Sequence, residues 1–146
     1  MLNFDFNIPT KIYFGQGRIE VLGKEILKYG KKILLAYGGG SIKKNGIYDE
    51  VVSQLKASKI EFVELSGIKP NPSIESVREG VKLCRENEVE FILAVGGGSV
   101  IDCAKAIAAG ANYAGDAWDF FVKGAKVDNV IAIGSILTLS ATGSEM

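Results

Sequence analysis

The sequence predicts an α/β domain with a doubly wound, mostly parallel sheet and helices on both faces. Short apolar runs alternate along the chain with segments whose apolar residues recur at spacings of three and four, which gives a β-α-β-α order. The strand-like runs begin near residues 33, 60 and 91, about thirty residues apart, which is the length of one βαβ unit. Crossover connections of this kind build parallel sheets and place helices on their faces.

The segment before the first buried strand is expected to lead into the sheet. Residues 11–14 predict a short strand. The apolar residues Ile19, Leu22 and Ile26 indicate a helix, which Gly30 would end because glycine is common just after a helix.

Three apolar runs are predicted to be strands buried on both faces, since a parallel sheet covered by helices carries apolar side chains on both sides. They cover residues 33–37, 91–95 and 130–133. A fourth run, residues 60–65, is expected to form a less buried strand.

The starts of two helices are signalled by serines. Ser73 follows Pro72, and Ser99 precedes an apolar periodic run with Asp102 three residues later, which is the spacing of a capping box. The small residues of the helix after Ser99 would let it pack close to the sheet. The predicted helices cover residues 47–55, 74–84 and 100–108.

Composition limits the classes of function. The chain has 146 residues, which suits one domain, and its 17 basic and 17 acidic residues give no overall field for nucleic acid or an anionic membrane. No apolar run approaches the length of a membrane span and no targeting segment is visible, so a cytoplasmic location is expected. Cys84 and Cys103 are expected to pack in the core. The chain has no histidine, which excludes catalysis or metal binding by imidazole within it.

A repeated strand-glycine pattern is the main functional signal. Residues 35–41 and 93–99 are both a buried strand that runs into three glycines and a serine. Glycines there let backbone N–H groups approach a ligand, and the N-terminus of a following helix favours a phosphate. We therefore assign the second loop to the pyrophosphate of a nucleotide and the first loop to another part of the same ligand. Neither loop is the GxGxxG fingerprint or a Walker A loop, which disfavours ATP.

Structural explanations for these segments remain open. The glycine loops can simply turn the chain between a strand and a helix, and Asp102 can simply cap a helix. Residues 69–72 are either a rigid connector or a wall for an adenine base. The hydroxyl-rich residues 138–145 are either a loop or a source of hydrogen bonds to ribose or phosphate.

Residues 96–105, with the pattern Gly-Gly-Gly-Ser-x-x-Asp-x-Ala-Lys, resemble the iron-containing alcohol dehydrogenases. The resemblance runs the whole length, through residues 9–15, 70–72 and 138–145, and residues 37–44 make it most similar to the butanol dehydrogenase subgroup. The GGGS pattern alone is shared with glycerol dehydrogenases and dehydroquinate synthases.

The resemblance implies a Rossmann-like dinucleotide-binding domain over residues 1–146, with NADP or NAD as cofactor. It also implies a second, all-helical domain that holds iron or another divalent metal through one Asp and three His, and this chain has none of those positions. The chain alone is therefore expected to be inactive, although the full-length family member would interconvert butanol-like alcohols and aldehydes. Exposed apolar surface that would meet the second domain leaves a homodimer open.

The resemblance also assigns roles to individual residues. The glycine loop before the long helix would hold the pyrophosphate, the proline-flanked loop would lie by the adenosine, and the segment after the last strand would line the groove, with an Asp on the nicotinamide side. The pyrophosphate residues are Gly97, Gly98 and Ser99, and the residue by the adenosine is Asn71. The groove residues are Thr138, Leu139 and Thr142, and the Asp on the nicotinamide side is Asp102.

Gly38 predicts a preference for NADP. Family members that prefer NAD commonly carry an Asp at this position, because a carboxylate accepts from the ribose 2′-hydroxyl and repels a 2′-phosphate. Gly38 removes that repulsion. The donors expected around the phosphate are Gly39, Gly40 and Ser41, with Lys43 or Lys44 nearby.

Two alternatives to a part of an alcohol dehydrogenase are kept. The chain can be a stand-alone nucleotide-binding module without catalysis, or a relative of the glycerol dehydrogenases and dehydroquinate synthases. Residues 37–44 and 138–145 argue against the second of these.

Overall fold

The computed structural model describes Asn3, Asp5, residues 7–141 and residues 143–146. Its four strands form one sheet in the order β2-β1-β3-β4, and all three neighbouring pairs are parallel. The strands are β1 (Lys32–Tyr37), β2 (Glu61–Leu65), β3 (Phe91–Gly96) and β4 (Ala132–Leu137).

Helices connect successive strands, as the alternating pattern predicts. A 3-10 turn at Arg18–Val21 leads into the first helix. None of the helices in the described part of the chain is long and apolar enough to cross a bilayer. The helices are α1 (Leu22–Ile26), α2 (Ser41–Lys44), α3 (Ile47–Ala57), α4 (Ile74–Glu86), α5 (Gly98–Ala111) and α6 (Asp119–Val122).

The core is divided into two layers, one on each face of the sheet. Alternate residues of β1, such as Leu34, pack with the apolar sides of α4 and α5. The intervening residues, such as Leu35, pack with α1 and α3 on the other face. Every residue of β3 is buried because the sheet is covered on both sides. The doubly wound α/β fold is thus confirmed.

The strand order brings two loops together. The chain moves from β1 outward to β2 and then crosses back to β3 on the other side of β1. The connections that leave β1 and β3 therefore go to opposite faces of the sheet, which opens a crevice between their carboxyl ends. Tyr37 of β1 lies opposite Val95 of β3, so the loops after these two strands begin side by side.

Helices α4 and α5 approach each other closely through small residues. A Cβ on Gly80 of α4 would lie 2.3 Å from Ile107 Cδ1 of α5, so glycine is what allows this spacing. The Arg85 guanidinium of α4 donates to the carbonyls of Gly110, Ala111 and Tyr113, which satisfies the carboxyl end of α5.

Two predicted strands are corrected by the structure. Residues 11–14 have no regular secondary structure. Phe14 is 96% exposed, and none of the described strands pairs with this run to satisfy its backbone groups. The run at residues 130–133 is not a strand buried on both faces, because Val130 is exposed and β4 begins at Ala132. Among the described strands β4 lies at the edge of the sheet, and its residues alternate between half-buried and exposed along most of its length.

Both cysteines lie in the core, as predicted. Cys84 and Cys103 are buried in the layer formed by α4 and α5. Burial raises the pKa of the Cys84 thiol to about 12 and that of Cys103 to about 11. Both side chains are therefore neutral packing groups at physiological pH.

The close approach of α4 and α5 predicts that Gly80→Ala destabilises the protein. Alanine favours helix by about 1 kcal/mol over glycine, but forcing Ile107 to move in a packed core costs about 1 to 3 kcal/mol. We expect a net loss of about 1 kcal/mol in the free energy of unfolding, measured by urea denaturation.

Ile107→Val provides the control, because it removes Cδ1, the nearest atom that the new Cβ would meet, and so relieves part of the clash. The double variant should be less destabilised than the sum of the two single variants. Strict additivity would show that the two helices are not in close contact at Gly80.

Candidate functional site

The two glycine loops lie next to each other at the carboxyl end of the sheet. Gly38 follows the last residue of β1, and Gly96 ends β3. Val100 of α5 lies between them: a Cβ on Gly38 would be 3.7 Å from Val100 Cγ2, and a Cβ on Gly96 would be 2.7 Å from the same atom. The loops are thus joined by a packed contact that the sequence does not reveal.

The second loop presents the N-terminus of the longest helix in the described part of the chain. Gly97 is the N-cap residue of α5 with extended backbone, and its carbonyl accepts from the N–H groups of Val100 and Ile101. Among the described atoms, a Cβ on Gly97 would meet no neighbour closer than Leu139 Cβ at 3.9 Å. An anion can therefore approach the first turn of α5, where the helix dipole favours it.

Ser99 has a different role from the one that its sequence context predicts. Helix α5 begins at Gly98, so Ser99 is its second residue, and no side chain caps its N-terminus. The predicted capping box between Ser99 and Asp102 is therefore wrong. The glycines adopt the start of the helix themselves, which leaves the Ser99 hydroxyl free to accept from the Asn71 backbone N–H at 3.4 Å.

The loop after β2 contacts both glycine loops. The N–H of Gly67 donates to the Gly38 carbonyl at 2.9 Å, and that of Ile68 donates to the Tyr37 carbonyl at 3.3 Å. Asn71 has a left-handed backbone with φ of 55°. Through its N–H it reaches Ser99, so the proline-flanked segment closes one side of the crevice.

The segment after β4 lies beside the second loop. The Thr138 N–H donates to the Gly96 carbonyl at 3.0 Å, which extends the pairing of β3 and β4 by one residue. Leu139 is 68% exposed next to Gly97. Thr142, the third predicted groove residue of this segment, lies outside the described residues.

The remaining predicted residues lie at the rim of the crevice. Gly39 and Gly40 are exposed, and among the described residues a Cβ on either would meet no atom within 4 Å. Ser41 begins α2. Asp102 is exposed and follows Gly98 by four residues, so both lie on the same side of α5.

The structure shows a charged cluster beside the first glycine loop that the sequence did not predict. The hydroxyls of Tyr37 and Tyr48 both donate to the Glu64 carboxylate, at 2.6 and 2.5 Å. The Lys43 ammonium lies 4.6 Å from the centre of the Tyr48 ring and 5.3 Å from that of Tyr37. We call these four residues the tyrosine-carboxylate cluster. They come from β1, α2, α3 and β2, so no local pattern could have linked them.

The pKa values in the cluster follow from these contacts. The hydrogen bond to Glu64 raises the pKa of Tyr48 to about 12. Partial burial works to raise the pKa of Glu64, but the two tyrosine hydroxyls and the Lys43 charge outweigh it, so that pKa is lowered. The Tyr37 hydroxyl raises the pKa of Lys43. Glu64 is therefore an anion and Lys43 a cation at neutral pH.

The fold and the crevice define a class: a doubly wound α/β domain with glycine loops at the carboxyl ends of the two strands where the sheet order reverses. The sequence matches the iron-containing alcohol dehydrogenases over residues 9–146, and the chain belongs to that family.

Individual relatives agree with this assignment. The chain is 58% identical over its whole length to NADH-dependent butanol dehydrogenase A of Clostridium acetobutylicum, covering 38% of that protein. It is 47% identical to the NADPH-dependent aldehyde reductase YqhD of Escherichia coli, with 99% of this chain and 38% of that protein covered. It resembles the crystal structure of NADH-dependent butanol dehydrogenase A from Thermotoga maritima with a TM-score of 0.93 and 54% identity, over 97% of this chain and 36% of that chain.

The described residues hold no donor set for iron. Iron and other divalent metals in enzymes are commonly held by histidine and carboxylate, but the sequence has no histidine. The described residues also contain no group of three or more Cys, Asp or Glu side chains that could hold a metal ion. The described residues do not fit the metal that the family name implies.

The geometry predicts different responses to alanine at two adjacent glycines: a loss of stability at Gly96 and little change at Gly97. Gly96→Ala would push a Cβ to 2.7 Å from Val100 Cγ2 and should lower the free energy of unfolding by about 1 to 3 kcal/mol. Gly97→Ala has room and should change it by less than about 0.5 kcal/mol. Chemical denaturation measures both, and equal effects would contradict the packing of Val100 between the loops.

Proposed function

We propose that this chain is the dinucleotide-binding part of an alcohol dehydrogenase that interconverts butanol-like alcohols and aldehydes by hydride transfer. The observation that carries the proposal is the pair of glycine loops in one crevice, with space beside Gly39, Gly40 and Gly97 where side chains would otherwise lie. A crevice at this point of a doubly wound sheet is where such folds bind nucleotides.

In the proposed complex the pyrophosphate lies at Gly97, Gly98 and Ser99. The backbone N–H groups at the start of α5, before those of Val100 and Ile101 that bond to Gly97, and the helix dipole favour a doubly charged group. Asn71 would lie at the adenosine end, because its loop spans from the first glycine loop to Ser99. Thr138, Leu139 and Thr142 would line the groove, and Asp102 would lie toward the nicotinamide.

We further propose that NADP is preferred over NAD. Gly38 carries no carboxylate to repel a 2′-phosphate, and Gly39, Gly40 and Ser41 offer backbone N–H groups at the exposed end of the first loop. Some similar relatives are named as NADH-dependent and others as NADPH-dependent, so the names of the relatives do not decide the preference of this chain.

The rest of the reaction requires residues beyond this chain. The chain spans 38% of the length of the relatives described above, and its donors do not fit a metal. We propose that the metal ligands and most of the alcohol pocket belong to another part of the full protein. The 146 residues alone should bind a dinucleotide but should not oxidise an alcohol.

Calorimetric titration of the chain with NADP, and separately with NAD, tests the proposal. Binding to the native state must also raise the melting temperature. Gly97→Ala should weaken the affinity for both dinucleotides by at least about tenfold, because its Cβ occupies the space of the pyrophosphate while the fold is kept.

Ser53→Ala is the control, since Ser53 is exposed on α3 and outside the crevice. It should bind as the wild type does. A folded wild-type chain that binds neither dinucleotide, or a Gly97→Ala variant with wild-type affinity, would overturn the proposal.

The preference for NADP is tested at Gly38. Gly38→Asp introduces a carboxylate that accepts from a ribose 2′-hydroxyl and repels a 2′-phosphate, so the ratio of affinities should shift toward NAD by at least about tenfold. The new Cβ would lie 3.2 Å from the Ile68 carbonyl, which a small movement of that loop relieves.

Gly38→Ala is the matched control, because it adds the same Cβ without the charge. It should leave the ratio of the two affinities nearly unchanged in the same titrations. A shift equal to that of Gly38→Asp would mean that space, and not charge, sets the preference at this position.

A further inference from the structure

The tyrosine-carboxylate cluster of Tyr37, Lys43, Tyr48 and Glu64 adjoins the first glycine loop on both sides. Tyr37 is the residue immediately before Gly38. Lys43 lies in α2, which begins directly after Gly40. The cluster is therefore the nearest charged arrangement in sequence to the loop that we propose contacts the ribose of the nucleotide.

Packing alone does not account for the cluster. Lys43 and Glu64 are exposed, so neither side chain fills a gap in the core. Both oxygens of the Glu64 carboxylate accept from a tyrosine hydroxyl, and the two tyrosine rings meet edge to face at 5.7 Å between centres. The carboxylate is thereby fixed in place, and Lys43 lies over the faces of the same two rings.

This arrangement holds the Lys43 cation by two forces. The rings attract an ammonium through their negative faces, and the fixed Glu64 anion attracts it through space. Lysine has a long flexible side chain, so without this attraction it would sample positions around the exposed loop. With it, Lys43 is held on the rings, and the Glu64 anion opposes part of the attraction of its charge for a further anion.

We propose that Glu64 is a specificity-determining residue: by holding Lys43 on the rings of Tyr37 and Tyr48, it reduces the attraction of the first loop for a second phosphate on the ribose. This inference rests on the proposed function. In this inference, Gly38 allows NADP to bind because it does not repel the 2′-phosphate. The tyrosine-carboxylate cluster lowers the affinity for NADP and so reduces its advantage over NAD. Gly38 and Glu64 thus have opposite effects on the ratio of the affinities for NADP and NAD.

Glu64→Gln tests the inference, since it keeps the size and some hydrogen bonding of the side chain but removes its charge. The affinity for NADP should rise by at least about fivefold, and that for NAD should change by less than about twofold, because only NADP carries the extra charge. The gain should shrink as salt is added, since the groups are exposed.

Glu61→Gln is the matched control. It removes one carboxylate from the same strand at the end remote from the loop, and Glu61 is also exposed. It should leave the ratio of the two affinities unchanged. An equal gain with Glu61→Gln would overturn the inference, because overall charge and not the cluster would be responsible.

Lys43→Met identifies the cation through which Glu64 acts. In the Glu64→Gln background, Lys43→Met should abolish the gain in NADP affinity. Persistence of the gain, or no change in the ratio of affinities with Glu64→Gln, would overturn the inference while the wild-type titration still supports the proposed function. A wild-type chain that binds neither dinucleotide would overturn both.

Discussion

The parallel pairing of β1 with β3 is the constraint on which the candidate site depends. These strands are separated in sequence by the whole of β2 and its two flanking crossovers, yet Tyr37 and Val95 lie side by side at their carboxyl ends. The pairing brings together two loops of the same sequence, sends the following helices to opposite faces and opens the crevice between them. Shifting β3 to another position in the sheet would separate the first glycine loop from the second.

The glycines of the two loops differ in how closely other atoms approach them. At the base, Gly38 and Gly96 pack against Val100, and Gly38 also approaches the Ile68 carbonyl. At the rim, Gly39, Gly40 and Gly97 face open space among the described atoms except for Leu139 beside Gly97. Each of the two runs of glycines therefore serves two physical needs: tight packing of the chain and unobstructed approach of a ligand to the backbone.

Runs of apolar residues predicted the fold. Features that depend on contacts between residues distant in sequence could not be predicted. The runs that became β1 and β3 are buried on both faces, so their apolar character identified them directly. Residues 11–14 also predicted a short strand, but none of the described strands pairs with them, and a sequence does not show whether a partner exists. The glycine loops were found by repetition, but the capping role of Ser99 failed because the helix begins one residue earlier, at Gly98. The tyrosine-carboxylate cluster left no signal, because its residues lie on four separate elements.

The two loops share a sequence but not a physical character, because different structures follow them. The second loop opens a fourteen-residue helix with no acidic residue in its first turn, so its attraction for an anion comes from aligned backbone groups. The first loop opens a four-residue helix, and its surroundings are set by side chains whose charges offset one another. Backbone donors suit the part common to both dinucleotides, and adjustable side-chain charge suits the part in which they differ. In the proposed complex, discrimination between the cofactors therefore belongs to the first loop.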